Sequence, residues 1–242
     1  MERRLASREH VKLRIANCGE SNSGKTFSAS IIAKIVNGGH MKGVTIIDTE
    51  NRGDLYDKIF PGVIIKRIEP PFDPEKLIEA FNECAKHKDT IVIVDSASDF
   101  WDRTNQIHKE LVGTNLKLSY YMWSKVTPRW DALRAAITNA PFHVITCWRM
   151  KDKLVQKDGE LVVDGQKVVA RGGSKGIKYD YQLAFIIDEN HRAKIGKDNL
   201  NLFADWREPR VIDDSVAMKI KEWIAEAQNK NKVVQNEQQA RP

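Results

Sequence analysis

Gly19-Glu20-Ser21-Asn22-Ser23-Gly24-Lys25-Thr26 reads G-x-x-x-x-G-K-T, the pattern of a loop that cradles phosphate. Its flanks decide the reading. Upstream, Lys12-Leu13-Arg14-Ile15-Ala16-Asn17-Cys18 alternates polar and apolar residues and predicts a strand. Downstream, Phe27, Ile31, Ile32, Ile35 and Val36 recur at helical spacing, and Asn37-Gly38-Gly39 supplies a stop. A chance glycine-rich turn would lack both flanks. Backbone N–H groups and the positive end of the helix then hold phosphate oxygens, which makes all eight residues candidate nucleotide ligands. Lys25 is expected to reach the β- and γ-phosphates and serve catalysis, and the Thr26 hydroxyl to ligate Mg²⁺.

Two strands extend this unit. Val44-Thr45-Ile46-Ile47-Asp48 is β-branched and ends in the polar loop Asp48-Thr49-Glu50-Asn51-Arg52-Gly53. That end of an open α/β sheet faces the ligand. Ile91-Val92-Ile93-Val94-Asp95 is four β-branched residues and then a carboxylate. Alone it is equally a buried strand ending in a loop aspartate. Beside a phosphate loop it reads as the Walker B strand, with Asp95 as a Mg²⁺ ligand.

The 242 residues suffice for one α/β domain with a full core or two small ones, and the balance of 30% charged and 41% hydrophobic residues is that of a soluble chain. No apolar run approaches the ~20 residues of a membrane span, and residues 1–10 are charged without an apolar signal core. Cys18, Cys84 and Cys147 are an odd set in apolar segments, expected as buried thiols of a cytoplasmic protein. A formal net charge of +6 permits a polyanionic partner without demanding one.

Along the chain, residues 1–11 form a basic arm and 12–227 one domain. Asp73-Pro74-Glu75 opens a helix. From Asp99 to Ser119 a helix is expected, then a mobile loop broken at Gly113. Thr127-Pro128 opens another helix with Trp130, Leu133, Ala136 and Ile137 inward. Phe142 to Trp148 is a core strand. Asp158-Gly159 and Asp164-Gly165 mark turns of a hairpin or three-strand meander, and 171–176 is a flexible link. Gln182–Ile187 and Arg192–Ile195 close the sheet. A terminal helix runs to 227, and the Gln/Asn/Lys-rich 228–242 is expected to be a disordered tail. The fold class is therefore α/β: a mainly parallel sheet, helices on both faces, and a β-hairpin-rich C-terminal half.

The order of the loop, Ile-Ile-Asp-Thr-Glu, Val-Asp-Ser-Ala-Ser and Val-Ile-Thr-Cys-Trp-Arg-Met-Lys resembles the RecA-like recombinase core over residues 12–205. Size and style are most similar to phage-encoded RecA-like single-strand annealing proteins of the Sak group. The resemblance implies a host-cytoplasmic, DNA-linked ATPase acting in recombination on single-stranded DNA, with ATP and Mg²⁺. It implies a homo-oligomer with ATP at subunit interfaces; the tail at 228–242 is a candidate contact for a single-strand-binding protein. Glu50 matches the glutamate that activates water; by itself it is equally a solvated loop acid. Lys197 falls in the segment whose lysines reach a neighbour's ATP, though a surface strand lysine fits the residue as well. Segment 149–178 stands where the family has a DNA-binding loop. It carries eight cations against four acids; Arg149, Lys151, Lys153, Lys157, Lys167, Arg171 and Lys175 are its candidate DNA contacts, against a solvated hairpin of mixed charge. Trp148, Tyr179 and Tyr181 are either base-stacking or core residues.

The chain also departs from that pattern. Cys147 and Trp148 stand where the family places a glutamine that links the γ-phosphate to DNA, and Asn199 replaces a second lysine. The usual N-terminal polymerisation module is reduced to the basic arm. These losses point towards annealing rather than strand exchange. A nucleotide-gated DNA-binding scaffold with negligible turnover is the second reading, and a small-molecule P-loop kinase a third.

Overall fold

The computed structural model describes residues 10–157, 160–169 and 179–239. β1 (Arg14–Gly19) leads through the glycine loop into α1 (Lys25–Val36). Then follow β2 (Val44–Asp48), β3 (Ile64–Arg67), α2 (Pro74–Lys86), β4 (Ile91–Asp95), α3 (Ala97–Val112) and α4 (Ser119–Asn139). The second half contains β5 (His143–Lys157), β6 (Glu160–Val169), β7 (Leu183–Ile187), β8 (Arg192–Asp198), β9 (Arg210–Val211) and α5 (Asp214–Gln239). The strands lie in the order β3-β2-β4-β5-β1-β7-β8-β9, with β6 paired to β5. β3 to β7 in that order are mutually parallel; β8 and β9 are antiparallel additions at one edge.

Period-two alternation sorts the strand side chains onto two faces. Ile91 and Ile93 of β4 join Ile15, Ile46, Ile145 and Phe185 beneath α1 and α5. Val92 and Val94 join Ala16, Ile47, Val144 and Trp148 beneath α2, α3 and α4. Both faces are covered, as a parallel sheet requires. The carboxyl ends of the mutually parallel strands β3, β2, β4, β5, β1 and β7 meet at one rim, which is where the site forms. Among the described residues no helix is long and apolar enough to cross a membrane. The three cysteines are buried and form no disulfide; burial pushes the Cys18 thiol up to about 12.

Four expectations change. The helix expected from Thr127 begins at Ser119, so Pro128 lies inside α4. An interior proline costs ~3 kcal/mol, and packing of the preceding turns offsets it. Val126 is fully buried, and Trp123 stacks on Trp101 and His108 with ring centroids 6.1 and 4.0 Å apart. The loop expected after Gly113 is thereby cut to a few residues around a short 3₁₀ turn, Leu116–Leu118. Asp164–Gly165 is not a turn: both residues lie within β6, where the register shifts opposite Asp152–Leu154, so the chain makes a two-strand hairpin rather than a meander. Finally, α5 continues through 228–239, expected as a disordered tail. Once a helix is nucleated, Gln, Lys and Glu propagate it cheaply. Residues 1–9 of the arm, the Asp158–Gly159 turn, the link 171–176 and residues 240–242 lie outside the described residues.

His143 at the start of β5 gives a pH test. Its Nδ1 accepts from the Leu13 N–H at 3.0 Å, so the ring is neutral. Burial, then the charges of Lys12 and Arg14, lower its pKa to about 4. Unfolded, the ring titrates near 6.5, so between those values the unfolded chain binds more protons. The contribution is complete above pH ~6.5 and disappears as pH falls through about 4, at most ~3 kcal/mol. The loss in urea midpoint from pH 7 to pH 4 should shrink in His143→Gln, which retains an acceptor but does not titrate. Equal losses in both proteins would exclude His143 as the cause.

Candidate nucleotide site at the carboxyl rim of the sheet

β1 ends at Gly19, in register with Arg149 of β5 on one side and Ile187 of β7 on the other. The loop turns there at close quarters: a Cβ on Gly19 would meet Ser23 Oγ at 2.3 Å and the Ile187 carbonyl at 2.6 Å. Gly24 has φ +84° and caps α1, a conformation that costs glycine least. The backbone is thus fixed so that α1 presents its free N-terminal N–H groups to the loop. Lys25 is buried, with its ammonium donating to the Glu20 carbonyl. The Ser23 hydroxyl is buried without a hydrogen-bond partner.

Thr26 Oγ1 donates to Asp95 Oδ2 at 2.6 Å, which brings together the two proposed Mg²⁺ ligands from residues 69 apart. Asp95 is raised to about 6, chiefly by burial and further by the charges of Glu50 and Asp48; Thr26 and Lys25 oppose the rise. A cation at that position would favour the ionised form. The donor set is hard oxygen, which suits Mg²⁺, and Mg²⁺ takes only one or two protein ligands. Among the described residues no cluster of three or more His, Cys, Asp or Glu could hold a metal.

Glu50 is set by the end of β2. Asp48 pairs with Asp95 across the β2–β4 ladder, and the Thr49 N–H donates to the Asp95 carbonyl at 2.8 Å. The Asp48 carboxylate accepts the Glu50 and Gly53 N–H groups at 2.9 and 2.7 Å. This closes the loop and lifts Glu50 to the rim. There Glu50 Oε1 accepts from Arg149 Nε at 3.1 Å and Nη2 at 2.7 Å. Arg149 also donates to Asp99 at 2.7 and 3.1 Å, and Asp99 accepts from Thr49 Oγ1 at 2.6 Å. The Tyr56 phenol lies beside Thr26, and burial is the main cause of its raised pKa.

Glu20 to Thr26, Glu50 and Asp95 therefore share one rim. Lys197 lies elsewhere. It pairs with Ala184, which is level with Ala16. That is three residues, about 10 Å, below the Gly19 end of β1. Lys151 is within 3.6 Å of Asp102. Lys153 and Lys157 fall on β5 and Lys167 on β6; Arg171 and Lys175 lie outside the described residues. Trp148 and Tyr181 are buried, bonded into a network with Thr146, so neither can stack a base; Tyr179 is exposed. Cys147 is wholly buried, and burial, then the charge of Asp95, raises its thiol pKa well above the usual value. Asp99, Thr49 and Tyr56 carry no sequence signal as site residues. Asp99 could have been suspected only as an acid four residues past Asp95, in the first turn of α3.

Loop, strand order and rim define an α/β protein whose mainly parallel sheet carries a glycine loop at its carboxyl rim, with β5 lying between the loop strand β1 and the strand β4 that ends at Asp95. No protein-family model and no curated protein matches the chain. Among solved structures it is similar to a KaiC-like protein from the hyperthermophilic archaeon Pyrococcus horikoshii OT3. The two are 16% identical with a TM-score of 0.42, covering 82% of this chain and 81% of that one.

Proposed function

We propose that the protein binds Mg·ATP at Gly19–Thr26 and hydrolyses it, with Glu50 orienting the water. In this reading it is a DNA-linked ATPase that binds single-stranded DNA along the β5–β6 hairpin and promotes recombination by annealing complementary strands. The observation that carries the nucleotide reading is the 2.6 Å contact of Thr26 with Asp95 at the mouth of the glycine loop. Chance would not bring the motif hydroxyl onto the one carboxylate its chemistry needs.

Each residue then has a definite task. Lys25, held at the loop, is free to exchange its carbonyl partner for phosphate oxygens. Thr26 and Asp95 would hold Mg²⁺, which when bound neutralises charge on the phosphates. Glu50 is anchored through Asp48 so that its carboxylate stands at the rim as a base. Lys197, too far down the sheet for its own loop, would serve a neighbouring subunit, and this is the reason for proposing an oligomer.

The DNA reading is supported by the hairpin's cations and by β5 itself. β5 runs from the sheet past Arg149 and on to Lys157 without interruption. A ribbon of this kind tied to the loop strand is a direct link between nucleotide and polyanion. A second reading, a nucleotide-gated scaffold with little turnover, is favoured by the engagement of Glu50 with Arg149. Binding of a labelled single-stranded oligonucleotide by fluorescence anisotropy, at two salt concentrations with ATP, ADP or neither, separates them. The annealing ATPase should bind more tightly with ATP, and its log affinity should fall with log salt by about 0.7 per phosphate neutralised. Nucleotide-indifferent binding would favour the scaffold, and absence of binding at low salt would overturn both.

A further inference from the structure

The geometry points to Arg149 as a latch on Glu50 that a polyanion opens, coupling the hairpin to hydrolysis. This rests on the reading of Glu50 as the group that activates water. Three observations carry it.

The first is occupancy. A carboxylate oxygen has two lone-pair directions. Glu50 Oε1 receives both Nε and Nη2 of Arg149, and its other oxygen lies 3.8 Å from Arg52. A base must offer an oxygen to water, and the oxygen nearest Arg149 is already filled.

The second is position. Arg149 is the last residue of β5 in register with β1, opposite Gly19. The next residue, Met150, begins the β5–β6 ladder opposite Val169. The residue that holds Glu50 is thus the joint between the phosphate loop's sheet and the hairpin. Its own N–H donates to Ser98 Oγ at 2.8 Å, so the backbone is pinned while the side chain can exchange partners.

The third is access. The Arg149 side chain is 35% exposed, against 23% for Glu50 and 13% for Asp99. A phosphate arriving along the hairpin meets the guanidinium before either acid. Arginine binds phosphate and carboxylate with the same two-pronged geometry. An incoming phosphodiester therefore competes with Glu50 for the same N–H groups. Asp99 keeps the guanidinium at the joint when Glu50 is released. Arg149 is in this account a positioning residue that acts through Glu50. It takes over the link for which Cys147 and Trp148, both buried, are unsuited.

The test is steady-state ATP hydrolysis by the full chain with and without saturating poly-dT oligonucleotide, for wild type, Arg149→Gln, Arg149→Lys, Glu50→Gln and Arg149→Gln/Glu50→Gln. Thermal melts establish that each is folded. The expected result is a basal kcat about tenfold higher in Arg149→Gln, the order of one charge-assisted hydrogen bond expressed as a population shift. KM should be unchanged and stimulation by poly-dT lost. Arg149→Lys, which keeps the charge but not the fork, should fall between, and serves if the glutamine variant does not fold. The double variant should be silent. A basal kcat that falls in Arg149→Gln, or a poly-dT stimulation ratio equal to wild type, overturns the latch. So does a raised turnover that survives in the double variant. Should Glu50→Gln alone turn over like wild type, the assignment of Glu50 fails and the latch with it. Should wild type bind Mg·ATP yet remain silent even with poly-dT, turnover in Arg149→Gln would uphold the latch. Silence there too would overturn the latch and leave the nucleotide-binding reading standing.

Discussion

Glu50→Gln should lower kcat for ATP hydrolysis by about 10²- to 10⁴-fold, the range of a positioned general base, while Mg·ATP affinity stays within about twofold of wild type. The structure makes the substitution a clean one. The amide keeps the shape of the side chain and an oxygen that can accept from Arg149. The Glu50 N–H, which holds the loop to Asp48, is untouched. What is removed is the carboxylate's charge, shared with Arg149, and with it the ability to draw a proton from water. Neither Thr26 nor Asp95 depends on the Glu50 side chain for a hydrogen bond, so the nucleotide-holding half of the site persists. The measurement is single-turnover hydrolysis beside equilibrium binding of a fluorescent ATP analogue. Hydrolysis at the wild-type rate would remove Glu50 from the mechanism and turn attention to water held by Asp95 or Asp99.

Lys25→Ala should have the opposite pattern. Loss of a buried, hydrogen-bonded charge facing an anion costs about 2–5 kcal/mol, or roughly thirty- to several-thousand-fold in Kd for ATP. ADP should lose less, since the lysine serves the β- and γ-phosphates together. The fold should tolerate the change. Lys25 donates to the Glu20 carbonyl, a partner near the loop's surface that water can replace, and α1 is secured by Ile32, Ala29 and Ala33 in the core. Isothermal titration with ATP and ADP reads the difference directly. Unaltered ATP affinity would mean that the glycine loop does not hold the phosphates.

The two substitutions divide the site into halves with different physical origins. The loop half is local. Eight consecutive residues carry the glycines, the lysine and the hydroxyl, and the flanking strand and helix are legible from alternation and helical spacing. Gly19 must be glycine because Ser23 and Ile187 approach it, and Gly24 because its φ is positive; both requirements arise within one strand–loop–helix unit. The strand ending at Asp95 was legible for a related reason, since four β-branched residues favour a buried strand and its carboxyl end lies at the rim.

Long-range pairing made the other half. Nothing in the order of residues says that Arg149 grips Glu50, 99 positions away. Read as a cation in a basic segment, Arg149 is a DNA contact; placed beside β1 by the strand order, it is first a partner of two acids. The same holds for Pro128, whose local preference to start a helix yields to the packing of Trp123 and Val126, and for Asp164–Gly165, whose turn signal is absorbed as a shift of register. The sequence by itself determined the elements, the glycine loop and the carboxylate-ended strands, because each depends on contacts within a few residues. Only the tertiary structure decided which charges face one another at the rim, because ion pairs depend on which strands become neighbours, and that is fixed by the burial of both faces of the sheet.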